Sequence, residues 1–359
     1  MYTVGIIGIG FLGGSLAKSL IKSNKIKEII AFDTNIDSLK KAKEDGVISD
    51  YSENINNKFK KCDFIFICTP VSFIVEYAKK LENIVNENCI ITDIGSTKKS
   101  ILEATNNLKI EFIGGHPMVG SERSGYETSV DLLFENSYYI ITESKRNKKE
   151  SIEKLKEIVI EINAIPIIID AEKHDYITAT ISHVPHVVAA TLVNLVKQLD
   201  DDNETMKTLA AGGFKDITRI ASSDPTMWEN ICTENKEEIL RILTKFKEII
   251  KKFEDNIINS NKTYDFFDSS KKYRDSFINK RINGNTMPEL NIMIKDENGA
   301  IAAISNILSD NDIDIRNIEI LNNRENNYGA LRVIVRSYEE REKGYKLLKK
   351  YGYEVSEIS

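Results

Sequence analysis

The chain has 359 residues and a mass of 40.7 kDa, a length that calls for two or three domains rather than one simple core. Hydrophobic residues make up 41% and charged residues 29%, which excludes a chain disordered throughout. The 49 Lys and Arg against 55 Asp and Glu give a net charge of -6. With 10 basic and 13 acidic residues from Met287 onward, each part carries -3, and neither has the charge of a nucleic-acid or anionic-membrane module.

Up to Asp170, short apolar runs alternate with polar helical stretches. The runs are Val4–Gly8, Ile29–Phe32, Phe64–Ile67, Cys89–Thr92, Glu111–Ile113, Tyr138–Ile141 and Ile165–Ile169. Because they are continuously apolar rather than alternating, they predict strands covered on both faces. Strand, helix, strand repeated this way predicts an α/β open, mostly parallel sheet.

The first strand runs into Gly8-Ile-Gly10-Phe-Leu-Gly13, which opens a helix. In that context the glycines have distinct tasks: Gly8 makes the turn, Gly10 lets backbone approach a pyrophosphate, and Gly13 allows close helix–strand packing. The helix N-terminus then receives the phosphate charge. Asp33 follows the second strand, 20 residues beyond Gly13, where a carboxylate accepts hydrogen bonds from a ribose 2′-hydroxyl and repels a 2′-phosphate. This is a Rossmann-type nucleotide site, with NAD favoured over NADP. Its candidate contacts are Gly8, Gly10, Phe11, Leu12, Gly13, Asp33 and, after the third run, Thr69 and Pro70.

The run ending at Thr92 leads into Asp93-Ile-Gly-Ser-Thr-Lys98, where Ser96 is placed either to bond a substrate hydroxyl or to cap the helix starting near Lys98. The next strand run leads into Gly114-Gly-His-Pro-Met-Val-Gly-Ser-Glu122. His116, expected just after a strand end and held extended by Pro117, suits a base that takes a hydroxyl proton as hydride leaves the same carbon.

From Asp170 to Lys280 the pattern is helical. Ile239, Ile242, Leu243, Phe246, Ile249 and Ile250 form a stripe that belongs to a core or a dimer contact. Ser182-His-Val-Pro-His186 follows His174, but no carboxylate or cysteine completes a metal frame, so metal binding is not expected. Asp216 and Arg219, three apart in Gly212–Arg219, fall on one helix face: either an exposed ion pair or an arginine that grips a substrate carboxylate. Trp228 follows in Asp224–Trp228. After a polar connection over Asn259–Gly284, the chain reads strand, helix, strand, strand, helix, strand, a ferredoxin-like plait. The expected domains are 1–170, 171–284 and 287–359. Cys62, Cys68, Cys89 and Cys232 read as reduced thiols, and no run approaches 18 apolar residues, so a soluble cytoplasmic protein is expected.

Taken in order, Gly8–Gly13, Asp93–Lys98, Gly114–Glu122, Ser182–His186, Gly212–Arg219 and Asp224–Trp228 resemble the prephenate dehydrogenase family of tyrosine biosynthesis. Residues from Met287 onward resemble an ACT regulatory domain, with Asp296–Gly299 at its strand-to-helix turn. The resemblance implies NAD-dependent oxidative decarboxylation of prephenate to 4-hydroxyphenylpyruvate. It makes His116 the catalytic histidine, Ser96 the hydroxyl-binding serine and Arg219 the carboxylate-binding arginine. His186, Glu122, Asp216 and Trp228 would line or gate the pocket. It further implies a homodimer through the helical domain and tyrosine as effector near Asn298 and Gly299. Arogenate, the amino counterpart, would use the same chemistry. A β-hydroxyacid or imine reductase and a non-catalytic sensor of NAD and amino acids share the glycine loop, but the sensor needs neither His116 nor Arg219.

Overall fold

The computed structural model describes residues 1–120, 123–259, 263–276, 288–295, 297–321 and 328–356. The chain divides into two compact units, 1–254 and 255–359.

The first unit is built on eight strands: β1 (Tyr2–Ile7), β2 (Ile26–Phe32), β3 (Asp50–Ser52), β4 (Phe64–Ile67), β5 (Ile90–Asp93), β6 (Glu111–Pro117), β7 (Tyr138–Thr142) and β8 (Ile165–Ile168). They form one sheet in the order β3-β2-β1-β4-β5-β6-β7-β8, parallel except where β6 meets β7. Helices α1 (Phe11–Leu20), α2 (Ile36–Glu44), α3 (Val71–Glu82), α4 (Lys99–Thr105) and α5 (Lys149–Glu161) cover it. Val4 and Ile6 join one core with Leu16, Leu39 and Leu155, while Ile7 joins a second with Ile74, Leu81 and Ile101. One strand thus feeds two cores, which is why its residues are apolar without alternation. Each fully buried Leu or Ile contributes about 1.5–3 kcal/mol.

After β8 come α6 (Ala171–Thr178), a π-helical turn (Ala179–His183), α7 (Val184–Leu199), α8 (Thr205–Leu209), α9 (Gly212–Thr218), α10 (Pro225–Glu234) and α11 (Lys236–Ile258). Residues Ala171–Leu199 form one continuous helix of 29 residues, long and apolar enough by length and composition to cross a membrane. The predicted stripe on α11 divides: Ile239 and Ile242 pack with Ala179 and Val184, whereas Ile249 and Ile250 are exposed.

The second unit contains α12 (Thr263–Asp275), within the helical pattern that runs to Lys280 and within the polar connection of Asn259–Gly284. Then follow β9 (Glu289–Lys295), α13 (Ala300–Ser309), β10 (Ile315–Leu321), β11 (Tyr328–Val335), α14 (Tyr338–Lys350) and β12 (Glu354–Ser356). The four strands are antiparallel in the order β10-β11-β9-β12. Leu290 and Ile292 of β9 and Leu331 and Val333 of β11 pack against Ile304, Leu308 and Leu348 of the two helices. Gly299 caps α13 with φ +88°, and Asn298 beside it is exposed; Asp296 lies outside the described residues.

Candidate active site

The turn after β1 holds backbone against backbone. Gly8 has φ +94°, and a Cβ on Gly13 would stand 1.9 Å from the Gly8 carbonyl oxygen, so α1 can begin directly over the strand end. Gly10, the N-cap, has no atom within 4 Å of where its Cβ would lie, and no side chain caps the helix. The first-turn N–H groups are therefore left for an anion. Phe11 is buried and Leu12 half-buried behind them. Asp33 turns back on the loop: Oδ2 accepts the Ile9 N–H at 2.6 Å and Oδ1 the Asn35 N–H at 2.8 Å. Each oxygen keeps capacity for a ribose hydroxyl. Thr69 follows β4 beside Gly8, its Oγ1 buried without a partner among the described residues, while Pro70 caps α3. An open anion site, a carboxylate and an unsatisfied hydroxyl together fit a dinucleotide.

His116 lies within β6, not after it, paired with Ile140 of β7. The antiparallel β7 extends the ladder past the point where the apolar run ends. His116 is half-buried, and its Nδ1 lies 2.8 Å from Nε2 of His174 on α6. His174 is fully buried, with its Nδ1 2.7 Å from Asp175 Oδ1. Desolvation, then the neighbouring His174, Lys98 and His183, holds His116 well below the usual 6.5. Burial also lowers His174, against the Asp175 hydrogen bond, and takes His183 down to about 4. At neutral pH these imidazoles are uncharged, each with one N–H donor and one acceptor nitrogen.

Asp93 ends β5 fully buried with Lys98, Oδ2 to Nζ being 2.5 Å. Asp93 Oδ1 also accepts the Gly115 N–H at 3.1 Å, tying β5 to the residue before His116. Ser96, half-buried between the two, does not cap the following helix. Asp175 does so instead, its carboxylate accepting the backbone N–H groups of Lys98 and Lys99 at 2.8 and 2.9 Å. Burial raises the Asp175 carboxyl, but the His174 hydrogen bond and these N–H groups outweigh it and bring it below the usual carboxylate range.

His183 and His186 flank Pro185, which has no N–H for the helix ladder; the π turn immediately before it absorbs the irregularity. At 3.6 residues per turn, His174 and His183 would stand about half a turn apart on a straight helix. The π turn lies between them, and Asn235 Nδ2 ties His183 to the residue after His174, reaching His183 Nδ1 at 3.1 Å and the Asp175 carbonyl at 2.9 Å. His186 stacks on Trp228 at 3.8 Å between centroids. The Trp228 Nε1 is buried and has no partner among the described residues, so a ligand acceptor there would satisfy it. All four histidines of the chain thus hydrogen-bond or stack in one neighbourhood. Among the described residues, no group of three His, Cys, Asp or Glu is arranged to hold a metal ion.

Asp216 on α9 is exposed. Arg219, also exposed, opens a 3-10 turn (Arg219–Ser222) that packs on α7, the helix of His186. Because α9 stops at Thr218, Arg219 sits at its C-cap rather than further along the predicted helix face. Glu122 lies outside the described residues. In the sequence His174 is marked only by its association with His183 and His186, and Asp175 and Asn235 carry no signal beyond the His-Asp dipeptide.

A mostly parallel sheet with a glycine turn at a helix N-terminus, an acidic residue after the second strand and a neutral histidine near the end of an interior strand defines a nicotinamide-dependent oxidoreductase. Comparison with known proteins narrows the class. Residues 16–168 match the nucleotide-binding domain of prephenate dehydrogenase and residues 170–272 match its dimerization domain. Prephenate dehydrogenase of Bacillus subtilis is 33% identical over 348 residues, covering 95% of this chain and 94% of that protein. The Lactococcus lactis enzyme is 33% identical over 357 residues, covering 96% and 97%. The crystal structure of prephenate dehydrogenase from A. aeolicus, in complex with hydroxyphenyl propionate and NAD+, is 34% identical with a TM-score of 0.74, covering 77% of this chain and 98% of that one. The chain belongs to the prephenate dehydrogenase family and is an NAD-dependent oxidoreductase.

Proposed function

We propose that the protein is a cytoplasmic prephenate dehydrogenase that converts prephenate to 4-hydroxyphenylpyruvate and is feedback-regulated by tyrosine. The observation that carries this reading is His116, an imidazole kept neutral by its surroundings and hydrogen-bonded through one nitrogen to His174. It is suited to take the ring-hydroxyl proton, with Ser96 bonding the same hydroxyl. NAD, when bound, accepts hydride from the ring carbon bearing that hydroxyl. Carbon dioxide leaves from the opposite ring position, and aromaticity supplies much of the driving force. Arg219 binds a substrate carboxylate. His186 and Trp228, with Asp216 and Glu122, shape or gate the pocket. In a chain of net charge -6, Arg219 and other local cations must supply the attraction for a dianion.

We divide the chain into an NAD-binding domain (1–170), a helical dimerisation and substrate domain (171–284) and an ACT-type regulatory domain (287–359). The strand–helix–strand–strand–helix–strand order and the β10-β11-β9-β12 sheet support a ferredoxin-like plait for the last, with tyrosine held near Asn298 and Gly299. Exposed Ile181, Val193, Leu195 and Leu199 support a homodimer contact along α7 and the turn before it. The test is NADH formation, followed by absorbance, with prephenate and arogenate separately, each with and without tyrosine. Reduction with prephenate that tyrosine suppresses supports the whole reading. Reduction with arogenate alone makes the protein an arogenate dehydrogenase, and silence with both despite tight NAD binding makes it a sensor.

A further inference from the structure

The hydrogen bonds around His174 determine which nitrogen of His116 carries a proton. The Asp175 carboxylate, held in its ionised form, is an acceptor only. It takes the Lys98 and Lys99 backbone N–H groups and faces His174 Nδ1 at 2.7 Å. His174 must therefore carry its proton on Nδ1. Being neutral, it offers only a lone pair at Nε2. The group 2.8 Å from that lone pair is His116 Nδ1, which must donate.

We infer that Asp175 and His174 are positioning residues that lock His116 as its Nδ1–H tautomer, leaving Nε2 as the catalytic base. This rests on the proposed role of His116 as the base. In the opposite tautomer Nε2 would already carry a proton, and the ring could not accept one from a substrate hydroxyl. The arrangement also makes the base depend on the docking of α6 against the start of α4, because one carboxylate serves both. When Nε2 takes the hydroxyl proton, the new positive charge is bonded through His174 to the Asp175 carboxylate. That opposes the desolvation that keeps His116 neutral at rest.

Nitrogen-15 NMR of the full-length protein labelled at histidine tests this directly, since four histidines can be assigned by single substitution. The expected wild-type spectrum at neutral pH has a protonated Nδ1 and an unprotonated Nε2 for both His116 and His174. His174→Leu is expected to release the His116 tautomer and lower kcat on the order of a hundredfold with NAD affinity unchanged. His174→Gln, whose amide oxygen can accept from Nδ1, should restore most of both. A wild-type His116 protonated at Nε2, or a leucine variant with unchanged tautomer and kcat, overturns the inference. Should a variant fail to fold, the wild-type spectrum still decides. Absence of wild-type turnover would remove the catalytic reading while leaving the tautomer result standing, so the two failures are distinguishable.

Discussion

Lys98 Nζ lies 2.5 Å from Asp93 Oδ2, and both side chains are completely removed from solvent. Lys98 is lowered by burial against the raising effect of Asp93, as expected where desolvation opposes attraction. Asp93 simultaneously holds the Gly95 and Gly115 N–H groups, so the pair braces the two strand ends that flank Ser96 and His116. Truncating one partner strands the other charge. Lys98→Ala should cost about 3–5 kcal/mol in denaturant unfolding, and the double change of Asp93→Asn with Lys98→Met should cost less than the two single changes together. Additive costs would mean that the pair is not coupled.

The pH response follows from the neutral histidines. His183 drops from 6.5 to about 4 through burial, and His116 and His174 move the same way. Between about pH 6.5 and pH 4 the unfolded chain binds protons at these sites that the folded chain refuses. Their stabilisation is therefore complete above 6.5 and lost as pH falls toward 4, with His183 alone accounting for about 3 kcal/mol. Urea titrations at neutral pH and near pH 5 should differ accordingly, and pH-independent stability would contradict the burial of the ring. Activity should behave differently: the acid limb of kcat/KM should lie below 6.5, since His116 stays an unprotonated base to lower pH than an exposed histidine. His116→Asn should retain NAD binding and lose turnover roughly a hundredfold or more.

How much of this could be read beforehand depends on sequence separation. The glycine turn and Asp33 are legible because loop, helix start and second strand are consecutive, and the distance between them is set by one βαβ unit. His116 stands out because it sits among glycines and before proline. By contrast, the His116–His174 and Lys98–Asp175 contacts span 58 and 77 residues, and nothing local marks them. In the Asp93-to-Lys98 segment the serine is the local signal, whereas full burial of both charged ends is a tertiary fact. Strand β3 is three residues, Asp50–Ser52, without an apolar run. The antiparallel direction of β7 leaves no trace in its composition, since a buried run reads alike either way. Helix α12 falls within the helical pattern that runs to Lys280, and its polarity matches its exposure: none of its residues is buried.

Arg219 tests the substrate side. A guanidinium meets a carboxylate through paired, charge-assisted hydrogen bonds, each contributing about 1.5–3 kcal/mol. Arg219→Ala should raise the KM for prephenate roughly 10- to 100-fold with a smaller change in kcat, because the carboxylate is held in both ground and transition states. Arg219→Lys should recover only part, lacking the planar fork. Steady-state kinetics that leave KM unchanged would return Arg219 to an exposed surface role.

Removal of residues 287–359 tests the proposed regulation. The sheet and helices from β9 onward bury their own apolar set, Leu290, Ile292, Ile304, Leu331 and Leu348, in a core separate from those around β1. Such a cluster can be deleted without opening the NAD-binding core, so turnover should persist in the shortened enzyme. Tyrosine inhibition should vanish if the effector sits at the turn of Asn298 and Gly299, where among the described residues the space beside Gly299 at the start of α13 is open. Initial-rate assays across a tyrosine series, on full-length and shortened enzyme in parallel, make the comparison. Undiminished inhibition in the shortened enzyme would move the effector to the active site, where tyrosine, carrying the ring hydroxyl and carboxylate of the product, would compete with prephenate.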